Sequence, residues 1–149
     1  MKSYLIPGKK IIEDLFNTIQ SFIRRNRLRD KKEDFYKQKK KEDLITFREE
    51  FCTFHIGLPR RAGNTTLAIK LFKEYPESLY IAQTEWALND DRLNAISKKD
   101  SRRLLSYKSS QKFVGLSASV VIVDVARYMT VLEKQRVYSI DSDIFIFIS

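Results

Sequence analysis

The sequence contains few of the residues that form disulfides, bind metal ions or interrupt secondary structure. Its 149 residues include one cysteine, one histidine, four glycines and three prolines. The single cysteine, Cys52, excludes an intrachain disulfide, and together with His55 it offers too few ligands for a typical zinc site. Its surroundings predict instead a small buried side chain on a strand.

Long apolar segments and targeting signals are also lacking. No stretch approaches the roughly 18 apolar residues that a membrane span needs, so no membrane span is expected. Residues 1–6 are followed by Pro7 and Gly8, without the apolar core and cleavage site of a secretory signal. We therefore expect a cytoplasmic protein in a reducing compartment, or one of the host cytoplasm if it is viral.

Basic residues outnumber acidic ones, which gives a formal net charge of +9 and a pI near 9.7. Such an excess favours association with polyanions, meaning nucleic acid or an anionic membrane surface. The same charge is also compatible with solubility and weak non-specific binding alone. Hydrophobic residues make up 43% of the chain, which is enough for one domain of ordinary size with its own core.

Composition changes near residue 50 and divides the chain into two predicted parts, a basic helical segment over 1–50 and an α/β domain over 51–149. In the first part, apolar residues recur every three or four positions between 11 and 23, which predicts a helix over 9–28. Its apolar face needs a partner, either the second part of the chain or another protein. A second helix is expected over 31–50, after a break near Asp30.

Positions 24–41 form the most basic stretch, in which ten of eighteen residues are Lys or Arg. These cations suffice for several phosphate contacts, and the neighbouring Phe35 and Tyr36 could stack on unpaired bases. The alternative is a solvated helix face with internal ion pairs, such as Glu33 with Lys37. The predicted nucleic-acid-binding residues are Arg24, Arg25, Arg27, Arg29, Lys31, Lys32, Lys37, Lys39, Lys40 and Lys41.

The second part alternates short apolar runs with helical patterns, and its unalternated runs fit strands that are buried on both faces. This rhythm predicts an α/β fold, a small parallel sheet with flanking helices, preceded by the basic helical segment. A polar connection is expected over 98–112. The predicted strands lie at 51–56, 79–82, 119–125 and 143–148, and the predicted helices at 65–75, 85–96 and 127–138.

A glycine-containing loop separates the first of these strands from its helix, as in the phosphate-binding pattern G-x-x-x-x-G-K-[ST]. Gly63 and Thr65 match this pattern, whereas Leu58 stands where the first glycine belongs, with Gly57 one position earlier. Asn64 stands where the lysine belongs. The alternative is an ordinary strand-to-helix turn in which Asn64 or Thr65 caps the helix.

A second motif lies about sixty residues further on, where the strand Val120–Asp124 reads VVIVD. Four apolar residues that end in an aspartate resemble a Walker B strand, whose carboxylate holds Mg²⁺ beside the hydroxyl of the phosphate loop. The alternative is a buried strand that happens to end in Asp. The residue after the aspartate, often a water-activating glutamate, is Val125 here.

Together, residues 51–149 resemble a degenerate P-loop NTPase, of the helicase, terminase and RecA-like group found in phages and mobile elements. The resemblance implies ATP and Mg²⁺ as cofactors, with Thr65 and Asp124 on the metal side. It also implies that the final strand lies between the phosphate-loop strand and the Walker B strand, with Ser149 at its tip. The implied nucleotide-binding residues are Arg60, Arg61, Gly63, Asn64, Thr65 and Thr66.

The departures from the motif weaken catalysis, because Asn64 and Val125 replace a phosphate-binding cation and a carboxylate. We therefore expect a nucleic-acid-associated accessory protein with weak or absent ATP hydrolysis, acting within a larger replication, transcription or packaging assembly. One alternative is an active ATPase that uses Arg60 or Arg61 in place of the lysine. Another is a non-catalytic interaction module that docks through its N-terminal helix.

Overall fold

A computed structural model describes residues 7–28, 43–59, 63–97, 101–109 and 112–149. The described chain is α/β, with a sheet of five parallel strands between two layers of helices. None of its helices has the length and apolar character required to cross a membrane. The helices are α1 (Pro7–Leu28), α2 (Leu44–Phe51), α3 (Asn64–Glu74), α4 (Asp91–Ser97) and α5 (Val131–Tyr138). The strands are β1 (Thr53–Ile56), β2 (Ser78–Ala82), β3 (Leu104–Ser106), β4 (Val120–Asp124) and β5 (Phe145–Ile148).

The strand order across the sheet is β1-β5-β4-β2-β3, and all four pairings are parallel. The final strand therefore lies between β1 and β4, as predicted. Ile148 is in register with both Ile56 and Asp124, so the three strands end at the same level. The segments that follow Ile56, Asp124 and Ile148 consequently meet at one edge of the sheet.

The sheet is covered on both faces, which explains the unalternated apolar runs of its central strands. Alternate residues of β4 enter different cores, with Ile122 facing α1, α3 and α4, and Val121 facing α2 and α5. Cys52 is fully buried in the second core, at the residue before β1. The predicted parallel sheet with flanking helices is confirmed. Cys52 is buried as expected, but it does not lie on a strand, because α2 extends to Phe51 and β1 begins at Thr53.

Helix α1 belongs to the same core as the sheet. Its apolar residues Ile12, Phe16, Ile19 and Ile23 are buried against α3 and the strands, at the predicted intervals of four and three. The compositional change at residue 50 therefore does not coincide with a division of the core. The predicted apolar face has its partner within the chain, which argues against its use as a docking surface.

Capping residues set where two helices of the described chain begin. Asp43 has an extended backbone and accepts a hydrogen bond from the Thr46 amide at 3.0 Å, so α2 begins at Leu44. A continuous helix over 31–50 is therefore wrong, and positions 31–42 lie outside the described residues. Thr130 and Glu133 form a capping box that starts α5 at Val131.

Three connections contain elements that periodicity did not predict correctly. The expected helix over 85–96 is instead a 3₁₀ turn (Trp86–Leu88) followed by α4. The polar connection over 98–112 contains a 3₁₀ turn (Ser101–Arg103) and the edge strand β3, whose three residues are too short to show a pattern. A further 3₁₀ turn (Ala126–Tyr128) follows β4 and precedes α5.

Candidate functional site

A cavity of about 430 Å³ opens at the edge where β1, β5 and β4 end. Ligands of parallel α/β sheets bind outside the carboxyl ends of the strands, so the location is the expected one for a site. The cavity brings together residues from three segments that are far apart in sequence. Its lining residues are Gly63, Asn64, Thr65, Thr66, Val125, Arg127, Tyr128 and Ser149.

Gly63 ends the loop and forms the N-cap of α3. Its φ of +98° is a left-handed conformation that glycine adopts without steric cost. A Cβ atom at this position would lie 3.1 Å from Cδ1 of Ile12, so α1 packs directly on the loop. Among the described residues no side chain caps α3, so the alternative in which Asn64 or Thr65 does so is wrong. The uncapped first turn leaves backbone N–H groups and the positive helix end beside the cavity.

Asp124 is not among the residues that line the cavity, but it contacts Thr65, which is. The Thr65 hydroxyl donates to Asp124 Oδ2 at 2.9 Å, and the Tyr80 hydroxyl donates to the same oxygen at 2.7 Å. Burial, and then the neighbouring carboxylate, raises the pKa of Tyr80 well above its usual value, so this phenol remains a donor. Asp124 is only 4% exposed, and its Oδ1 has no hydrogen-bond partner among the described residues.

Asn64 is turned toward the loop. Its side-chain Nδ2 donates to the Leu58 carbonyl at a long 3.5 Å, and its Oδ1 is buried without a partner in the described chain. The loop is also tied to β5, because Leu58 N–H donates to the Ser149 carbonyl at 3.0 Å. Ser149 lines the cavity, so the residue implied for the tip of the last strand does face the site. A neutral amide at position 64 cannot neutralise phosphate charge.

Val125 adopts a left-handed conformation, with φ 59° and ψ 45°. This conformation costs an L-residue roughly 1–2 kcal/mol and is unusual for a β-branched side chain. The Tyr107 hydroxyl donates to the Val125 carbonyl at 2.6 Å and helps to hold the turn. Burial raises the pKa of Tyr107 to about 12, which keeps that hydroxyl protonated. Val125 lines the cavity but brings no acid or base to it.

Two arginines near the cavity were missed by sequence reasoning. Arg127 lines it and its Nη2 approaches the Leu58 carbonyl at 3.4 Å. Arg92 approaches the Thr66 hydroxyl at 3.4 Å and forms an ion pair with Asp90 at 3.0 Å. Position alone could have suggested Arg127, because it follows a strand that ends in a candidate metal ligand.

The structure brings together only part of the predicted site. Gly63, Asn64, Thr65 and Thr66 line the cavity, and Asp124 contacts Thr65. Arg60 and Arg61, proposed as substitutes for the lysine, lie outside the described residues. Among the predicted nucleic-acid-binding residues, Arg24, Arg25 and Arg27 are exposed on the last turns of α1, and the other seven lie outside the described residues.

The side-chain oxygens of Thr65 and Asp124 fit Mg²⁺ better than a metal that needs several protein ligands. No group of three or more His, Cys, Asp or Glu residues is close enough to hold a metal in the described chain. Mg²⁺ needs only one or two protein oxygens when substrate phosphates and water complete its shell. The Thr65 hydroxyl and the unpartnered oxygen of Asp124 are ligands of that kind.

Comparison with known proteins gives no match. No family model matches the sequence, and no curated protein or solved structure is significantly similar to it. The site must therefore be interpreted from its own chemistry.

Proposed function

We propose that the protein binds a Mg²⁺-nucleotide, ATP or a related nucleoside triphosphate, in this cavity and hydrolyses it slowly or not at all. The observation that carries the proposal is the hydrogen bond between Thr65 and Asp124 behind the cavity. These two residues come from the two segments that resemble a phosphate loop and a Walker B strand. A buried carboxylate needs a partner for each oxygen, and a bound cation would be the partner of the Asp124 oxygen that has none in the described chain.

The residues of the site divide into three roles. Gly63 and the first turn of α3 would bind phosphate oxygens through backbone N–H groups. Thr65 and Asp124 would hold Mg²⁺, which neutralises phosphate charge when it is bound. Asn64 and Val125 supply neither a cation nor a general base, which is why we expect little turnover.

The strand order also supports the proposal. A final strand between the phosphate-loop strand and the Walker B strand is the arrangement that the P-loop resemblance implies, and β5 occupies that place. The order alone is shared by other parallel α/β folds, so the proposal rests on the site and not on the sheet.

We further propose that the nucleotide site serves a nucleic-acid-associated accessory role in a larger assembly. Arg24, Arg25 and Arg27 are exposed on one end of α1, and no described carboxylate forms an ion pair with them. Together with the net charge of +9, this basic end supports binding to phosphate backbones. An active ATPase is the second candidate, favoured by the presence of Arg127 at the cavity.

Isothermal titration calorimetry with ATP, with and without Mg²⁺, tests the nucleotide site. We expect saturable binding that weakens when Mg²⁺ is removed, and a loss of that Mg²⁺ dependence in Thr65→Ala. Thr18→Ala is the matched control, since the exposed Thr18 on α1 bonds only the Asp14 carbonyl at 2.9 Å. No ATP binding by the wild-type protein would contradict the proposal, and rapid phosphate release on turnover would favour the active ATPase.

A further inference from the structure

A phosphate site without a cation in its loop is electrostatically incomplete. Asn64 occupies the place of the lysine and contributes only a neutral amide. Backbone N–H groups and Mg²⁺ neutralise part of the charge of a nucleoside triphosphate, and P-loop sites add a side-chain cation. A cation that replaces the lysine must reach the phosphate groups that a lysine side chain at position 64 would contact.

Arg127 meets that geometric condition. Its Nη2 lies 3.4 Å from the Leu58 carbonyl oxygen, and Nδ2 of Asn64 lies 3.5 Å from the same oxygen. The guanidinium and the residue-64 amide are therefore within about 7 Å of each other. Arg127 also lines the cavity beside Gly63 and Thr65.

The charge of Arg127 is available, in contrast to that of Arg92. No ion pair joins Arg127 to a carboxylate in the described parts of the chain, and its single hydrogen bond is long. Arg92 is held by Asp90, which accepts hydrogen bonds from its side chain and its backbone. An arginine that is already neutralised contributes less to a phosphate than one that is not.

The backbone around Arg127 is held by its neighbours, so ligand binding need not order it. The preceding Val125 is bound through its carbonyl to Tyr107, and Ala126 is buried in the second core. The Met129 amide closes the 3₁₀ turn by donating to the Ala126 carbonyl at 3.1 Å. Arg127 is thus an exposed side chain on an anchored turn at the mouth of the cavity.

We infer that Arg127 is the cation of this phosphate site and binds the terminal phosphates of the nucleotide in place of the lysine. The inference rests on the proposed function. A guanidinium can form two parallel hydrogen bonds to one phosphate, so it would favour nucleoside di- and triphosphates over monophosphates.

The test compares the affinities of ATP, ADP and AMP, each with Mg²⁺, for the wild-type protein, Arg127→Ala, Arg127→Lys and Lys73→Ala. Lys73 is the matched control: it is exposed, and it lies ten residues along α3 from Gly63, or about 15 Å from the loop. We expect Arg127→Ala to weaken ATP binding about ten- to a hundredfold, as for a lost charged hydrogen bond, with AMP nearly unchanged. Arg127→Lys should recover part of the loss.

Three results would overturn the inference in distinguishable ways. If Arg127→Ala binds ATP as the wild type does, the inference fails and the proposed function stands. If Arg127→Ala weakens ATP and AMP equally, or Lys73→Ala weakens ATP as much, Arg127 has no specific role at the terminal phosphates. If the wild-type protein binds none of the three nucleotides, the proposed function fails and the inference fails with it. Unchanged melting of the free Arg127→Ala protein shows that it is folded.

Discussion

Asp124 is the residue on which the candidate site depends most. A charged group in a parallel sheet is costly unless its oxygens accept hydrogen bonds or bind a cation. One oxygen accepts from Thr65 and Tyr80, while the other has no partner among the described residues. The oxygen without a partner makes this arrangement unfavourable, and it is the oxygen that a metal ion would bind.

Tyr80→Phe should lower the free energy of unfolding by about 1.5–3 kcal/mol, because a hydrogen bond to a buried charged group is lost. The Phe72 and Tyr80 rings, 5.6 Å apart, remain in contact in this variant. Tyr128→Phe is the control, since the Tyr128 side chain is exposed and its hydroxyl forms no hydrogen bond in the described chain. Equal urea midpoints for the two variants would contradict the role assigned to Tyr80.

Val125→Asn should raise the free energy of unfolding by about 1 kcal/mol, because asparagine tolerates the left-handed conformation better than a β-branched residue. Val114→Asn is the matched control: Val114 is exposed and has a negative φ. Thermal melts of both variants measure the difference. A loss of stability in Val125→Asn larger than in the control would show that Val125 is not strained.

At the scale of single residues, the sequence predicted what local spacing determines. Gly63, Thr65 and Asp124 were identified because strand-to-helix loops and strand ends have recognisable patterns. Arg127 was not, although it follows a strand that ends in Asp124, because whether a side chain on a 3₁₀ turn faces the cavity depends on tertiary packing. The left-handed backbone of Val125 could not be predicted either, because valine rarely adopts that conformation and gives no sequence signal for it.

At the scale of elements, α1 supports the loop that ends at Gly63. Its first turns place Ile12 against Gly63, and the rest of its apolar face lies on α3 and the sheet. The loop is thus packed by a helix that belongs by composition to the basic segment. The hydrophobic spacing predicted this helix correctly but left its partner undecided, because periodicity shows that a face is apolar and not what covers it.

Gly63→Ala should destabilise the protein by more than Gly115→Ala does. Both glycines have φ above +90°, but only the Cβ at Gly63 would meet another side chain, Ile12 at 3.1 Å. Gly115→Ala therefore measures the backbone cost alone, about 1 kcal/mol. Adding Ile12→Ala to Gly63→Ala removes both crowding atoms, Cδ1 at 3.1 Å and Cγ1 at 3.2 Å, so the double variant should lose less stability than the sum of the singles. Strict additivity would show that α1 does not pack on the loop.

At the scale of the whole molecule, the parallel sheet and the central place of β5 were predicted, whereas β3 and the exact helix starts were not. Buried parallel strands leave long apolar runs in the sequence, as β4 and β5 do. Helix starts depend on single capping side chains such as Asp43 and Thr130, which compete with periodicity.

The basic end of α1 predicts salt-dependent binding to nucleic acid. Replacing Arg24 and Arg25 with Ala should weaken binding of single-stranded DNA and reduce the slope of log K against log salt by about 1–2. Lys112→Ala with Lys134→Ala is the control, since it removes the same charge from the part of the chain that packs on the other face of the sheet. Fluorescence anisotropy at several salt concentrations provides the slopes. Binding that does not vary with salt would contradict a phosphate-backbone interaction.

Nucleotide-dependent thermal stabilisation, measured on the wild-type protein and Asp124→Asn with and without Mg²⁺, tests the nucleotide site most directly. A ligand that binds only the folded state raises its melting temperature by mass action. We predict that ATP with Mg²⁺ stabilises the wild-type protein more than ATP alone. In Asp124→Asn, we predict that the Mg²⁺-dependent part disappears. An equal Mg²⁺-dependent rise in both proteins, or no rise with ATP in the wild type, would contradict a Mg²⁺-nucleotide site at Thr65 and Asp124.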